Sequence, residues 1–262
     1  MPANSPCAEI QRTNILGVGV SAVNMRLAIE QLERWIARSA KSYVCVTGVH
    51  GLMECQRDPA LRRLHNEAGM VAPDGMPLVY ISRMMRQAQV DRVYGPDLML
   101  AMCELSQDKG YRHFFYGTTA ETLDRLTARL LGRFPKLPIA GSYAPPFREL
   151  TESESAGIAA LINSSKADIV WVGLSTPRQE KWMARHRPLL DAPALLGVGA
   201  AFDFHAGRTP QAPRWMQRAC LEWAFRLAAE PRRLWKRYLR NNPLFATYLT
   251  LQLLGLKRFE IQ

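Results

Sequence analysis

Asp74 is the strongest candidate for acid–base chemistry in the chain. It lies in the segment Val71–Leu78, between Pro73 and Gly75, with apolar residues on both sides. Proline fixes φ and glycine permits a positive φ, so the segment is predicted to form a tight turn with the carboxylate at its tip. A carboxylate in that setting is either an ordinary turn former or a general base whose apolar neighbours raise its pKa.

A hydroxyl and an imidazole follow a second segment. Ser42–Thr47 is a predicted buried strand, and Thr47–Gly51 is a loop that carries the Thr47 hydroxyl, the His50 ring and two glycines. Ligands of open α/β sheets bind beyond the carboxyl ends of the strands, so both side chains are candidates for substrate contacts. The alternatives are that Thr47 caps the next helix and that His50 is a capping or surface histidine.

Two further positions could meet an anion. Gly117 joins a predicted strand to a predicted helix, and this junction is either an anion or ribose site or an ordinary β–α turn. Arg92 lies in a turn-rich loop, where it either binds a substrate or simply pairs with Asp91 or Asp97.

The last two predicted strands are followed by polar residues as well. After the clearest buried strand, Ala167–Gly173, Gln179 and Glu180 crowd the first turn of a helix, where a ligand over the sheet end would meet them. Ala194–Phe204 is predicted as the last strand, with small residues that allow close backbone approach and with Asp203 near its end.

Strands alternate with helices at βαβ spacing from about residue 14 to residue 204. This pattern predicts a Rossmann-like α/β fold, with a mainly parallel sheet and helices on both faces, over a body of residues 1–206. Gly17 and Gly19 lie in a predicted strand or edge segment, Asn14–Ser21, and suggest a nucleotide-binding G-x-G motif. The third glycine of that motif is missing, which argues against a dinucleotide oxidoreductase.

Residues 207–262, here called the basic tail, differ from the body in charge. They hold eleven Lys and Arg residues against three acidic ones, so eight of the eleven net positive charges lie there. Short helices are predicted over 212–226 and, after an interruption at Pro231, over 232–240. A second break at Asn241–Pro243 precedes an apolar segment too short to span a bilayer. Tryptophans among the arginines favour an anionic membrane surface as partner; the alternatives are nucleic acid and a helical subdomain packed on the body.

The cysteines indicate a reducing compartment. The chain has five, an odd number, and none forms a C-x-x-C pair, which argues against a disulfide framework or a zinc site. We see no signal-peptide pattern and no run of about 18 apolar residues, so we expect a cytoplasmic protein without a transmembrane helix.

Several motifs, taken in order, resemble the WecG/TagA/CpsF family of bacterial glycosyltransferases. The resemblance runs from about Gly17 to Leu239, and it rests on the order and spacing of the motifs rather than on any one of them. The motifs are Thr47 at a strand end, Pro73-Asp74-Gly75, Arg92-Val-Tyr-Gly95, Val172–Glu180, Gly197–Phe204, Ala212–Trp215, and Leu221–Trp223 followed by Glu230–Arg233.

The resemblance implies a transferase that moves a sugar from a UDP-sugar to a sugar on polyprenyl diphosphate. Direct displacement with inversion follows if Asp74 only removes a proton. The sugar transfer would take place at the inner face of the cell membrane, in the synthesis of exopolysaccharide or another surface polysaccharide. It further implies that Asp74 is the base and that the basic tail closes over the site at the membrane. It matches Thr47 and Gln179 to positions that line the active site. The other candidates for substrate binding come from the sequence pattern itself: His50, Arg92, Gly117, Glu180, Asp203, Arg226 and Arg232.

Two departures from the family pattern bear on the donor. Many members carry Asn where this chain has Val49 and Arg where it has Gln211. The chain is similar there to the xanthan-type branch, which adds glucose to glucosyl-diphosphate-polyprenol, so UDP-glucose is the expected donor. The alternative is a UDP-N-acetylmannosamine or uronate donor with an N-acetylglucosaminyl-diphosphate-polyprenol acceptor.

No Asp-x-Asp pair is present for a metal on the donor diphosphate, so we expect a metal-independent enzyme without a cofactor. Arginines such as Arg92, Arg226 and Arg232, together with backbone N–H groups at helix starts, would then meet the leaving diphosphate.

A competing hypothesis is a non-enzymatic basic adaptor that binds an anionic membrane or nucleic acid. It explains the basic tail but gives no reason for Asp74, Thr47 and Gln179 to lie at strand ends, so we expect an enzyme with no nucleic-acid partner. Small residues near Gly197 and the apolar face of a predicted helix over 22–39 fit either a core or a homo-oligomer interface.

Overall fold

A computed structural model describes residues 10–261. Cys7, one of the five cysteines, therefore lies outside the described residues; the other four are free thiols. The strands are β1 Arg12–Ile15, β2 Val18–Ser21, β3 Ser42–Thr47, β4 Met70–Pro73, β5 His113–Gly117, β6 Ile139–Tyr143, β7 Ile169–Gly173 and β8 Ala194–Gly197. The α-helices are α1 Met25–Arg38, α2 Val49–Arg57, α3 Pro59–Glu67, α4 Met76–Met84, α5 Gly95–Lys109, α6 Ala120–Arg133, α7 Glu152–Ser164, α8 Arg178–His186, α9 Ala201–His205, α10 Arg214–Arg218, α11 Glu222–Ala229 and α12 Pro231–Leu253.

Six strands form a wholly parallel sheet in the order β4-β3-β8-β7-β5-β6. Alternate residues of each strand enter two separate apolar clusters, one on each face, so that Val170 and Trp171 point to opposite sides. This arrangement confirms the predicted α/β fold with helices on both faces. Parallel strands also place all their carboxyl ends at one edge, which is where a ligand site would be expected.

The segment before the first helix differs from its prediction as one strand. It is an antiparallel hairpin, β1–β2, outside the main sheet. Leu16 and Gly17 both have positive φ at its tip, so Gly17 serves the tight turn. This use of the glycine gives a structural reason for the incomplete G-x-G pattern.

Two predicted boundaries near the site are corrected as well. The segment before Asp74 was predicted as a turn, but it is the edge strand β4, and Asp74 is the first residue beyond it. The predicted strand Ala194–Phe204 ends at Gly197, because the chain turns through Gly199 at φ +51 and enters α9. Asp203 therefore lies on a short helix.

The basic tail packs on the body at its far end. Phe245 and Phe259 are buried in the same apolar cluster as the β1–β2 hairpin. Asn14 donates a hydrogen bond to the Phe259 carbonyl at 2.6 Å, and Gln252 donates to the Asn14 carbonyl at 2.9 Å. The predicted break at Asn241–Pro243 is absent, because α12 continues through Pro243 to Leu253. The division of the chain at residues 206 and 207 stays a prediction.

Candidate active site

A cavity of about 420 Å³ lies over the carboxyl ends of four neighbouring strands, β4, β3, β8 and β7. Its floor is formed by the segments that leave these strands, and its roof by α11 and α12 of the basic tail. We call it the strand-end cavity. Of the predicted site residues, it brings together Asp74, Thr47, His50, Arg92, Gln179, Asp203 and Arg226.

Asp74 is held by backbone contacts on both sides. Its N–H donates to the Thr47 carbonyl at 3.0 Å, and its Oδ1 accepts from the Gly95 N–H at 3.2 Å. Loss of hydration raises the pKa of the carboxyl; the Arg92 charge opposes this rise, and the Glu222 charge adds to it. The arrangement gives a fixed carboxylate with increased affinity for a proton, facing an open space.

Arg92 lies beside Asp74 but is already paired with the basic tail. Its Nη2 lies 2.5 Å from Glu222 Oε2, and its Nη1 donates to Gln217 Oε1 at 2.9 Å. Its Nε donates to the Asp74 carbonyl, and the guanidinium stacks 3.9 Å from the centre of the Tyr94 ring. The predicted alternative partners, Asp91 and Asp97, pair with other arginines.

Thr47 and His50 occupy the floor. Thr47 is the last residue of β3 and is buried, while the N-cap of α2 is Gly48, so the capping alternative for Thr47 is wrong. His50 lies in the first turn of α2, and its Nδ1 is 3.1 Å from the Asn241 amide nitrogen on α12. Burial and the charges of Arg237 and Arg57 lower the pKa of His50 to about 3, so the ring is neutral at physiological pH.

Gln179 and Glu180 are both buried, but only Gln179 lines the cavity. The Gln179 amide donates to Glu180 Oε1 at 3.0 Å, and the Thr176 hydroxyl donates to the same oxygen at 2.9 Å. Gln179 Oε1 has no hydrogen-bond partner among the described residues and lies close to the Gly199 backbone. Glu180 thus orients Gln179 rather than facing the cavity itself.

The basic tail adds a group of arginines above these residues. Arg226 has a buried Nε without a hydrogen-bond partner in the described chain, and its guanidinium lies 5.6 Å from the Phe204 ring centre. Arg232 is exposed and outside the cavity lining, whereas Arg233 and Arg237 line it, one helical turn apart on α12. Burial, together with the charges of Arg226 and Arg233, lowers the pKa of Arg237.

Gly117, like Glu180 and Arg232, is a predicted site residue that lies outside the cavity lining. It ends β5, one strand beyond the four that border the cavity. Its φ is +128, and a Cβ there would lie 2.6 Å from the Gly173 carbonyl oxygen on β7. Gly117 is therefore required for the close approach of two strands.

The predicted site residues leave out several polar residues of the roof, among them Glu222, Arg233, Arg237 and Asn241. Helical periodicity carried a usable signal for two of them, because Arg233 and Arg237 are four residues apart and share a face. Glu222 lies in one of the motifs that carry the family resemblance, but no local pattern pairs it with Arg92, which is 130 positions away.

Within residues 10–261, no group of three or more His, Cys, Asp or Glu side chains is arranged to hold a metal ion. The expectation of a metal-independent reaction stays a prediction. None of the helices in this range is long and apolar enough to cross a membrane.

Comparison with known proteins identifies the family. The model of the glycosyl transferase WecG/TagA/CpsF family matches residues 13–259. A Bacillus spizizenii protein is 30% identical over 197 residues, which are 74% of this chain and 73% of the relative. A Staphylococcus aureus protein is 24% identical over 238 residues, covering 89% of this chain and 90% of the relative. Both are named N-acetylglucosaminyldiphosphoundecaprenol N-acetyl-beta-D-mannosaminyltransferase. The chain belongs to the WecG/TagA/CpsF family of glycosyltransferases.

Proposed function

We propose that this chain transfers N-acetylmannosamine from its UDP derivative to N-acetylglucosaminyl diphosphate polyprenol, in the synthesis of a surface polysaccharide. The names of the relatives support this donor and acceptor. They do not support the expectation of UDP-glucose. Of the two departures behind that expectation, Gln211 is exposed and outside the cavity lining, whereas Val49 lines the cavity. Val49 is therefore the reason to keep UDP-glucose in the donor test.

The observation that carries the proposal is the placement of Asp74 opposite tail arginines in one cavity. In the reaction, the acceptor hydroxyl oxygen attacks the anomeric carbon and Asp74 takes the hydroxyl proton. The bond from the anomeric carbon to the UDP oxygen breaks, and UDP leaves with the electron pair. A single displacement of this kind inverts the configuration at the anomeric carbon.

Arg226, Arg233 and Arg237 stabilise the charge of the departing diphosphate. Arg226 has a buried Nε without a hydrogen-bond partner and, like Arg237, forms no ion pair among the described residues, whereas Arg233 pairs with Glu230 at 2.5 Å. Like charges held together under partial burial are costly, and an anion between them removes that cost. Arg92 contributes less directly, because Glu222 already neutralises it.

The face of α12 opposite the cavity binds an anionic membrane surface. Trp235 is 48% exposed and Leu239 is 69% exposed. The basic residues Arg232, Lys236 and Arg240 lie on the same exposed stretch of the helix. Tryptophan and leucine among arginines suit the boundary of headgroups and acyl chains, so the protein sits peripherally on the inner face of the membrane, where a polyprenyl-linked acceptor is presented.

UDP release from the purified full chain tests the proposal. The protein, in detergent or in liposomes, is incubated with polyprenyl diphosphate N-acetylglucosamine and, in parallel reactions, with UDP-N-acetylmannosamine, its uronate and UDP-glucose. The same donors are also tested with the glucosyl-linked acceptor. We expect release from UDP-N-acetylmannosamine that requires the N-acetylglucosaminyl lipid.

Other outcomes are equally informative. Release from UDP-glucose with the glucosyl lipid alone would overturn the donor and acceptor but keep the transferase. No UDP binding or release with any pair, together with salt-sensitive binding of nucleic acid, would favour the basic adaptor instead.

A further inference from the structure

Arg92 connects three parts of the molecule that must align for the reaction. Its Nε donates to the carbonyl of Asp74, its Nη1 to Gln217 in α10, and its Nη2 to Glu222 at the start of α11. One planar guanidinium thus contacts the loop after β4 and two points of the basic tail. Its fork geometry fixes all three directions at once.

Glu222 is the tail residue on which this connection depends. Its Oε2 lies 2.5 Å from Arg92, its Oε1 accepts from the Tyr94 hydroxyl at 3.5 Å, and 17% of its side chain is exposed. No residue of α10 or α11 is fully buried, so apolar packing does little to hold this part of the roof. A partly buried ion pair is therefore a main attachment of α11 to the body.

We propose that Glu222 is a positioning residue that acts through Arg92: it fastens α11 over the cavity and holds the Asp74 loop in its reactive geometry. The assignment rests on the proposed function, since it gives Asp74 the work of a base. Glu222 does not need to touch the sugar or the diphosphate for this purpose.

The charges around Asp74 give the ion pair a second effect. Arg92, Glu222 and Arg226 are the charged groups that act on the Asp74 carboxyl, and the Gly95 N–H donates to it. With Glu222 present, the Arg92 charge is shared between two carboxylates. Without Glu222, the Arg92 charge would act only on the Asp74 carboxylate. It would stabilise the ionised form of Asp74 and make Asp74 a weaker base.

The test compares two charge-removing substitutions in the basic tail. Glu222→Gln keeps the side-chain size and removes the charge, and Glu260→Gln makes the same change at an exposed position outside the cavity. We expect Glu222→Gln to lower kcat on the order of tenfold to 100-fold with little change in donor KM. The acidic limb of the kcat profile should move to lower pH, because the Glu222 charge no longer raises the pKa of Asp74. Glu260→Gln should match the wild type.

Hydrogen exchange provides a readout that is independent of turnover. Amide protons of 222–229 and of the 88–95 loop should exchange faster in Glu222→Gln and at the wild-type rate in Glu260→Gln. Unchanged exchange in Glu222→Gln would overturn the proposal, and so would kinetics identical to those of Glu260→Gln. If the wild type releases no UDP from any donor, the proposed function fails, but the exchange result still decides whether the ion pair holds α11.

A double variant separates action through Arg92 from any other route. Arg92→Gln and the double variant Arg92→Gln/Glu222→Gln should show the same kcat, because Glu222 has nothing to position once Arg92 is gone. Losses that multiply in the double variant would show that Glu222 acts independently of Arg92, which would overturn the assignment.

Discussion

The six tryptophans divide evenly between the body and the basic tail, and the two sets have opposite surroundings. Trp35, Trp171 and Trp182 are at most 7% exposed in the body. In the tail, Trp215 is 64% exposed, Trp223 42% and Trp235 48%. The body buries its tryptophans in the core, whereas the tail presents its tryptophans to solvent and buries Leu234, Phe245 and Phe259 instead.

The two regions are therefore held in place by different means. Apolar burial on both faces of the sheet fixes the floor of the strand-end cavity. In the roof, α11 has no buried residue and is held by polar contacts such as Arg92 with Glu222, whereas α12 combines the His50–Asn241 contact with buried Leu234 and Phe245. We therefore expect the floor to keep its geometry once the body has folded. The position of the roof helices should depend more on charge, on pH and on any surface that covers the exposed tryptophans.

The largest expected effect comes from the floor. Asp74→Asn should lower kcat by roughly 10²–10⁴-fold, because the amide cannot accept the proton of the acceptor hydroxyl. UDP release measures the loss, and circular dichroism with thermal unfolding checks that the fold is kept. Near-normal turnover with an intact fold would mean that Asp74 only forms the turn after β4.

A roof arginine should matter next. Arg226→Met keeps much of the apolar stem above Phe204 and removes the charge, and should reduce kcat on the order of 100-fold if the arginine stabilises the leaving diphosphate. Arg258→Met, at an exposed tail position, is the matched control. Equal activity of the two variants would show that Arg226 does not contribute to the reaction.

The exposed face of α12 should affect membrane binding more than catalysis. Trp235→Gln should weaken binding to anionic vesicles by about tenfold, since burying a large apolar side chain contributes about 1.5–3 kcal/mol. Vesicle co-sedimentation at fixed salt measures this, and turnover on a short-chain soluble acceptor should stay near the wild-type rate. Unchanged sedimentation would place the membrane contact on another face.

The smallest expected effect is a loss of roof stability at low pH, caused by protonation of His50. The pKa of His50 is lowered to about 3 in the fold, so protonation favours the state in which the ring is released. The stabilisation is complete above about pH 6.5 and declines as the pH falls towards 3, by at most about 2 kcal/mol at pH 5.

Hydrogen exchange across α12 at pH 7.5 and pH 5 measures the effect of His50. His50→Gln should remove most of the pH dependence there. The pH dependence of global unfolding should remain in this variant, because His113 in the core also has a pKa lowered to about 3. Identical pH dependence in His50→Gln and the wild type would assign the effect to other groups.

Much of the floor could be predicted from the sequence, because its signals are local. Buried apolar runs at βαβ spacing predicted the parallel sheet, and a parallel sheet places Thr47 and Asp74 at one edge. The errors were local too: four residues of β4 resemble the start of a turn, and Gly199 ends β8 earlier than the apolar pattern indicates.

The roof was harder to predict, because its arrangement depends on helix phase and on distant partners. Arg232 and Arg233 are adjacent in sequence, yet only Arg233 lines the cavity. Composition showed that the tail is basic, but only the orientation of α12 decides which arginines face inward. The contact between Arg92 and Glu222 joins regions that no local pattern connects.

Pro243 interrupts the backbone hydrogen bonding of α12, the longest helix in the described part of the chain. Proline has no N–H, so the Leu239 carbonyl lacks its usual hydrogen bond within α12. The residues before this position carry Arg233, Arg237 and Asn241, and the residues after it carry the buried Phe245 that fastens the helix to the hairpin cluster. Helices bend most easily where the row of backbone hydrogen bonds along the helix is interrupted. Bending of α12 is therefore expected to be easiest beside Pro243, between the turns that carry the arginines of the cavity and the turns that Phe245 anchors on the body.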